Sequence, residues 1–157
     1  MKYLISSLII LFMGFIPAEA RDVEIKLLQT SDVHGNFFPY NFITQRPTRG
    51  SVARVATAVK KYREKYGDNV ILLDNGDILQ GQPTVYYYNY VDTVAPHVVS
   101  EIMNYLDYDA GNVGNHDVET GRAVLDRWSK SCDMPVLGAN IIDVATGEPY
   151  FEPYKII

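Results

Sequence analysis

The sequence predicts an α/β domain whose mainly parallel sheet is covered by helices, and three observations support this prediction. After residue 20, short apolar runs rich in β-branched residues alternate with longer segments in which apolar residues recur at helical spacing. The order of these segments is β-α-β-α-β-α-β, which is typical of parallel strands joined by crossover helices. The chain has 157 residues, of which 47% are hydrophobic, so it is long enough for one domain with its own core.

The first half of this pattern contains two strands and the helix between them. Residues 23–30 predict the first strand, and from Val52 onward apolar side chains recur at helical spacing up to Gly67, a natural C-terminal stop. Residues 69–74 form a continuous apolar run, which predicts a second strand buried on both faces. An irregular stretch, residues 36–50, follows the first strand, and loops of that length in a compact domain tend to serve a site.

The second half contains two more helices and two more strands. Helical spacing of apolar residues predicts helices around residues 94–106 and 124–128, and apolar runs predict strands at residues 108–113 and 135–141. His97 lies inside the first of these helices, and we interpret it as a structural or solvent-facing residue. These elements complete the alternation expected of a parallel sheet.

Residues 1–20 have the three parts of a secretory signal peptide. Lys2 supplies the positive end, residues 4–16 are almost wholly apolar, and Ala-Glu-Ala at residues 18–20 has the small-x-small form of a cleavage site. A membrane anchor is the alternative, but the apolar stretch is shorter than the roughly 20 residues of a spanning helix, and polar residues follow it at once. We therefore predict an exported protein, periplasmic or extracellular, whose mature chain begins near Arg21 and makes no stable membrane insertion.

Charge and cysteine content narrow the class of partner and the source of stability. The formal net charge of −5 is spread along the chain without a basic run, which argues against polymeric nucleic acid and favours a small partner. Cys132 is the single cysteine and cannot form an internal disulfide, so the core or a bound metal must stabilise the fold. We interpret Cys132 as a small buried residue near a helix end.

Polar residues cluster at the carboxyl ends of the first three predicted strands, which is the edge where sheets of this kind bind ligands. The chain reads Ser-Asp-Val-His-Gly-Asn at residues 31–36, Asp-Asn-Gly-Asp at 74–77 and Gly-Asn-His-Asp at 114–117. Turn formation explains each aspartate or asparagine taken singly, but it does not require His34 and His116 beside them. Together these carboxylate, imidazole and amide groups suit Mn²⁺, Zn²⁺, Fe or Mg²⁺.

These motifs resemble the calcineurin-like metallophosphoesterase superfamily, whose signature is Asp-x-His, then Gly-Asp, then Gly-Asn-His-Asp/Glu, each after a strand. Residues 32–34, 76–77 and 114–117 match it in order, and the four-residue block is the specific part. The flanks, Leu-Leu-Asp-Asn-Gly-Asp-Ile-Leu-Gln-Gly at 72–81 and Leu-Gly-Ala-Asn-Ile at 137–141, are similar to the secreted branch of 5′-nucleotidases and 2′,3′-cyclic-nucleotide 2′-phosphodiesterases.

The resemblance implies a fold, a domain division and a cofactor. The family fold is a β-sandwich flanked by helices, a four-layer αββα arrangement, and residues 21–157 match its N-terminal β-α-β-α-β-α-β half. The implied cofactor is a pair of divalent metal ions, Mn, Zn, Fe or Mg. By the resemblance, Asp32 and His34 would bind the first metal, Asp77 would bridge both, and Asn115 would bind the second.

The same resemblance implies two catalytic residues. His116 would face the substrate, where it would stabilise developing charge or protonate the leaving oxygen. This branch commonly orients that histidine with an aspartate, and Glu119 stands at the corresponding position, with the same charge and a longer reach. The tyrosines of residues 86–90 are open to two interpretations, stacking on a nucleobase or packing at a helix surface.

Three functional hypotheses follow. The first is metal-dependent hydrolysis of phosphate esters of nucleotides, with a small-molecule nucleotide as substrate. The second is hydrolysis of a non-nucleotide phosphate ester, because the motifs do not separate substrates. The third is a non-catalytic remnant that binds a metal or a protein. The family supplies further histidine ligands from its second half, including a Gly-His-x-His motif, and no histidine follows His116 in this sequence.

Overall fold

The computed structural model describes residues 22–157, so the predicted signal peptide at residues 1–20 lies outside the described residues. Its main sheet has four strands that pair in parallel in the order β1-β4-β5-β6. A two-stranded antiparallel hairpin, β2-β3, interrupts the long loop after the first strand. The strands are β1 Lys26–Thr30, β2 Tyr40–Asn41, β3 Arg46–Pro47, β4 Val70–Asp74, β5 Ala110–Asn112 and β6 Val136–Leu137.

Helices fill the connections between the parallel strands, which confirms the predicted α/β class. They are α1 Val52–Tyr66, α2 Pro83–Tyr90, α3 Val98–Tyr105, α4 Asn115–Glu119 and α5 Arg122–Ser131. The sequence patterns predicted α1, α3 and α5 and missed α2 and α4. Helix α2 is rich in tyrosine and lacks an apolar stripe, and α4 is a single short turn, so neither has the periodicity that marks a helix.

Several elements are shorter than predicted. The first strand begins at Lys26, because Val23 and Ile25 are 65% and 57% exposed and precede the first residue paired with β4. Helix α3 begins at Val98 rather than near residue 94, and Val94 is 93% exposed. Periodicity alone does not locate such ends, which depend on where neighbouring elements stop pairing.

His97 sets the start of α3. Its side chain is completely buried, its Nδ1 accepts a hydrogen bond from the Val99 N–H at 3.2 Å, and its Nε2 lies 2.8 Å from Oδ1 of Asn89. Burial, with the charge of Arg127 as a smaller cause, lowers the pKa of His97 to about 4. The interpretation of His97 as a structural residue is confirmed, and the solvent-facing alternative is wrong.

Within residues 22–157, the helices lie on one face of the sheet. Leu28, Leu72 and Val136 lie on that face and pack in one hydrophobic cluster with residues of α1, α2, α3 and α5. Side chains on the opposite face are partly open, and Leu27 is 63% exposed. The predicted burial of the second strand on both faces is therefore wrong: β4 alternates between buried and half-buried residues.

The remaining sequence interpretations concern Cys132 and the tyrosines of residues 86–90. Cys132 directly follows α5, as predicted, and is half-buried; burial is the main cause that raises the pKa of its thiol to about 12. Tyr86, Tyr87 and Tyr90 are exposed on α2 at 62%, 48% and 49%, which agrees with the helix-surface interpretation.

Within residues 22–157, no helix has both the length and the apolar character needed to cross a membrane.

Candidate metal centre

The loops that follow β1 and β4 are joined to each other by backbone hydrogen bonds. The N–H of Asp32 donates to the carbonyl of Gly76 at 3.0 Å, and the N–H of His34 donates to the carbonyl of Asp77 at 2.9 Å. Because β1 and β4 are adjacent and parallel, both loops leave the same edge of the sheet. The first two of the three predicted motifs therefore lie side by side.

Three predicted site residues have left-handed backbone conformations. The φ angles are 53° at Asp32, 49° at His34 and 59° at Asp77. Short polar side chains tolerate this region better than bulky ones, but it is uncommon for residues other than glycine. Such conformations persist only where the surroundings hold them, and they concentrate at functional sites.

One group of side chains among the described residues can hold a metal ion. His34, Asp77 and His116 each offer a donor atom, and these atoms all lie within 4.8 Å of one another. The two imidazole rings are edge-to-face with centroids 5.3 Å apart, and all three residues are half-buried. Two imidazoles and one carboxylate are a donor set that suits Zn²⁺, Mn²⁺ or Fe, so these residues fit the expected cofactor.

The structure brings together some of the predicted site residues and leaves others beside the group. Asp32 is exposed, and its carboxylate accepts a hydrogen bond from the Ser31 hydroxyl rather than joining the three donors. Asn115 is the exposed first residue of α4, next to His116. Their assignment as metal ligands stays a prediction. His116, which the family resemblance assigns to substrate, lies within the donor group.

A chain of hydrogen bonds holds the His116 ring. Its Nδ1 lies 2.8 Å from Oε2 of Glu119, and the same oxygen accepts from Nε2 of Gln80 at 3.2 Å. A carboxylate can only accept, so Nδ1 carries the proton and Nε2 is the free ring nitrogen. The bond to Glu119 raises the pKa of His116, and the His116 and Gln80 donors lower the pKa of Glu119.

Asp77 and Gly114 approach each other closely between the loops after β4 and β5. Oδ1 of Asp77 accepts the backbone N–H of His116 at 2.9 Å. A Cβ atom added at Gly114 would lie 2.1 Å from that same oxygen and 2.5 Å from the Asp77 nitrogen. The backbone angles of Gly114, a φ of −86° and a ψ of 172°, are open to any residue. Glycine is therefore required here for the close approach of Asp77 and not for its backbone conformation.

A buried polar cluster lies around Asp74, the last residue of β4. Asp74 is 3% exposed, and its Oδ1 accepts from the Thr30 hydroxyl at 2.6 Å while its Oδ2 accepts from the Gly76 N–H at 3.0 Å. The Tyr108 hydroxyl lies 2.9 Å from that of Thr30. Burial is the main cause that raises the pKa of Asp74 to about 6, and the charges of Asp117 and Asp32 add to it.

The sequence analysis did not identify two residues whose hydrogen bonds support the candidate site. Gln80 supports Glu119, and Asp117, noticed only as the last letter of the third motif, accepts four backbone N–H groups. Nothing local identifies Gln80. For Asp117 a signal exists, because an acidic residue three positions after a helix N-cap commonly reaches back to the cap N–H.

The fold and the donor group together define an α/β protein with a candidate metal site at the carboxyl ends of parallel strands. Comparison with known families identifies the family to which the chain belongs. The profile of the calcineurin-like phosphoesterase family matches residues 25–154, so the chain belongs to that family. Its relatives include 5′-nucleotidases and cyclic-nucleotide phosphodiesterases.

Two curated relatives illustrate the similarity. The chain is 36% identical over 143 residues to the 2′,3′-cyclic-nucleotide 2′-phosphodiesterase/3′-nucleotidase of Yersinia enterocolitica, covering 89% of this chain and 22% of that protein. It is 35% identical over 155 residues to the snake venom 5′-nucleotidase of Crotalus adamanteus, covering 93% of this chain and 25% of that protein. The chain thus spans about a quarter or less of these relatives.

A solved structure supports the fold. The crystal structure of the calcineurin-like phosphoesterase YfkN from Bacillus subtilis superimposes with a TM-score of 0.77 and 33% identity. The match covers 87% of this chain and 42% of that chain. The described residues therefore have the fold of the N-terminal part of a metallophosphoesterase domain.

Proposed function

We propose that this chain supplies the N-terminal part of a metal-dependent phosphoesterase that hydrolyses phosphate esters of nucleotides. The observation that carries the proposal is the convergence of His34, Asp77 and His116 at one edge of the sheet, with donor atoms within 4.8 Å of one another. Family membership supports the reaction type, because calcineurin-like phosphoesterases form the matching family. The named activities of the relatives support nucleotides as the substrate class.

The proposed roles divide the site residues into two sets. Asp32 and His34 would hold one metal ion, Asn115 would contribute to a second, and Asp77 would serve both. When bound, two divalent ions supply an acidified water and a Lewis-acid clamp on the phosphoryl oxygens. The carboxylate of Asp77 is held toward the loop after β5 by the N–H of His116, which suits a residue that serves both sides of the site.

His116 and Glu119 are the proposed acid–base pair. Glu119 accepts from Nδ1 of His116 and so orients the ring with Nε2 free. Glu119 raises the pKa of His116 and so favours the imidazolium form, in which Nε2 also carries a proton. That proton would pass to the oxygen of the departing alcohol as the phosphorus–oxygen bond breaks, which leaves a neutral ring protonated at Nδ1. Gln80 donates to the same oxygen of Glu119, and this second hydrogen bond compensates for the longer and more mobile side chain at this position.

We also propose that the protein is exported, with residues 1–20 as the signal peptide. The support is the sequence of those residues, with Lys2, the apolar run and the Ala-Glu-Ala tripeptide. Mass spectrometry of the N-terminus after secretion from a host cell tests this. A secreted protein that begins near Arg21 is expected, and a protein that stays in the cytoplasm with residues 1–20 attached contradicts the proposal.

Metal binding by the purified chain is the first test of the proposed activity. Titration with Mn²⁺ by calorimetry is expected to show one tight site, because Asp32, His34 and Asp77 serve the first ion whereas the second has Asp77 and Asn115 alone. His34→Ala removes the site, and His97→Ala is a matched control, since His97 lies in the core just before α3 and outside the donor group. A chain that binds no Mn²⁺ refutes the proposal and favours a protein-binding remnant.

Turnover is the second test, and a chimera provides it. Residues 22–157 replace the matching segment of the Yersinia relative, and phosphate release is measured from a 5′-nucleotide, a 3′-nucleotide, a 2′,3′-cyclic nucleotide and glycerol phosphate. We expect activity on nucleotides that His116→Ala abolishes, and little turnover by the chain alone. Preference for glycerol phosphate in the chimera favours a non-nucleotide ester instead.

A further inference from the structure

Asp117 has a surrounding unlike that of any predicted metal ligand. The residue is completely buried, and its two carboxylate oxygens accept four backbone N–H hydrogen bonds. Oδ2 accepts from Asp77 at 2.8 Å and from Gly114 at 2.9 Å, and Oδ1 accepts from Ile78 at 2.9 Å and from Leu79 at 2.7 Å. Each carboxylate oxygen of Asp117 therefore accepts two hydrogen bonds from backbone N–H groups.

These four donors come from two different loops. Asp77, Ile78 and Leu79 follow β4, whereas Gly114 follows β5 and begins α4. The carboxylate therefore ties together the two segments that carry the Asp77 and His116 donors. A side chain that bonds backbone N–H groups on both segments fixes their spacing more tightly than packing between small residues does.

The hydrogen bonds to Asp117 also stabilise an unfavourable backbone conformation at Asp77. Asp77 has a φ of 59°, and the next two residues turn the chain back into the core, where Ile78 and Leu79 are 1% and 0% exposed. A left-handed aspartate persists only when neighbouring contacts determine it. The hydrogen bonds that the N–H groups of all three residues donate to Asp117 are those contacts.

We propose that Asp117 is a positioning residue for the metal centre: its buried carboxylate holds Asp77 and His116 at ligand distance before any ion binds. The inference rests on the proposed function, since it concerns the same site. Asp117 does not touch the metal donors through its side chain; it acts on them through the loops. Outer partners that orient ligands in this way typically change metal affinity by about 10- to 100-fold when removed.

Asp117→Asn tests the proposal with minimal change in shape. The amide retains one acceptor oxygen, so two of the four N–H donors face an NH₂ group that cannot accept. Mn²⁺ affinity by calorimetry is expected to fall about 10- to 100-fold, and the absorption spectrum of the Co²⁺-substituted protein is expected to change, because the donors no longer hold one geometry. Met103→Ala, in the core on α3 and 1% exposed in the wild type, is the control for general destabilisation.

The outcomes separate the two ideas. If the wild type binds Mn²⁺ and Asp117→Asn binds it equally well, or if Met103→Ala loses affinity in the same proportion, the positioning role is overturned while the metal site stands. If the wild type binds neither Mn²⁺ nor Co²⁺, the proposed function fails and the positioning role falls with it. Reduced affinity and an altered Co²⁺ spectrum in Asp117→Asn alone support the inference.

A measurement on the wild type covers the case in which Asp117→Asn does not fold. Hydrogen exchange of the Leu79 and Gly114 amides is followed in EDTA and then with Mn²⁺. Positioning before binding requires both amides to be protected without metal, with little further protection when Mn²⁺ is added. Fast exchange in EDTA that becomes slow only with Mn²⁺ overturns the proposal, because the ion and not Asp117 then orders the loops.

Discussion

Gly114→Ala is the sharpest test of how closely the loops approach, because the new methyl group would collide with the predicted bridging carboxylate. Its Cβ would lie 2.1 Å from Oδ1 of Asp77, whereas ordinary contacts of such an atom begin near 3.4 Å. The collision requires a shift of about 1 Å, and overpacking of this kind costs about 1–3 kcal/mol. The variant is expected to fold with its strand-end loops displaced.

The expected change in the free energy of unfolding combines three contributions, of which the cost of overpacking is the first. The shift breaks the bond from the His116 N–H to Asp77, and a hydrogen bond to a charged group is worth about 1.5–3 kcal/mol. The backbone of Gly114 suits alanine, so the smaller entropy of the unfolded chain returns about 0.4–1 kcal/mol. We expect a net loss of about 1.5–5.5 kcal/mol in the free energy of unfolding.

Urea denaturation followed by the fluorescence of Trp128 measures this loss, because Trp128 is the single tryptophan and is completely buried. Gly50→Ala is the matched control: its Cβ would meet only Nδ2 of Asn36, at 3.8 Å, so a change within about 0.5 kcal/mol is expected. A Gly114→Ala protein as stable as the wild type, with unchanged Mn²⁺ affinity, refutes the reasoning.

Further predictions concern titration and the division of roles. The pKa of Asp74 is raised from 3.8 to about 6, so the stability that its protonated carboxyl contributes is complete below pH 3.8 and is lost as pH rises through 6. The stability advantage of wild type over Asp74→Asn should therefore fall by about 2 kcal/mol between pH 4 and 7 in EDTA. The pKa of His97 is lowered from 6.5 to about 4, so the stability that the neutral ring contributes is complete above pH 6.5 and is lost as pH falls through 4. The stability advantage of wild type over His97→Gln should therefore shrink by about 3 kcal/mol between pH 7 and 4. In the chimera, Asp77→Asn should empty the metal centre, whereas His116→Ala should lower turnover far more than metal content.

Each of these has a contrary result. A pH-independent difference between wild type and Asp74→Asn, or between wild type and His97→Gln, shows that burial does not shift that group as described. The two groups act in opposite directions, so a flat profile of the wild type alone decides nothing and each variant must be compared at every pH. Equal loss of metal in Asp77→Asn and His116→Ala contradicts the separation of ligand from acid.

The fold class could be predicted because its signals are local. Alternation of apolar runs and helical periodicity lies within windows of a few turns, and three helices and four strands appeared where expected. Helix α2 was missed because aromatic residues on an exposed helix leave no apolar stripe. His97 could not be classified because its burial depends on Asn89, a residue of that unpredicted helix.

Much of the candidate site was also local in the sequence. Three short motifs contain His34, Asp77 and His116, and each motif ends a strand, so the topology of a parallel sheet was sufficient to predict their convergence. The contacts that support these residues were not predictable in the same way. Gln80 reaches Glu119 across 39 positions of the chain, and no pattern of spacing encodes such a contact.

By itself, the sequence determined the α/β class, the family motifs and the edge of the sheet that carries the donors, since all three follow from neighbours along the chain. The tertiary structure alone decided that Gly114 must lack a side chain, that Asp117 bonds two loops from the core, and that one face of the sheet stays open beside Leu27. These features depend on distances between segments far apart in sequence, and such distances exist only once the strands have paired and the helices have packed against one face.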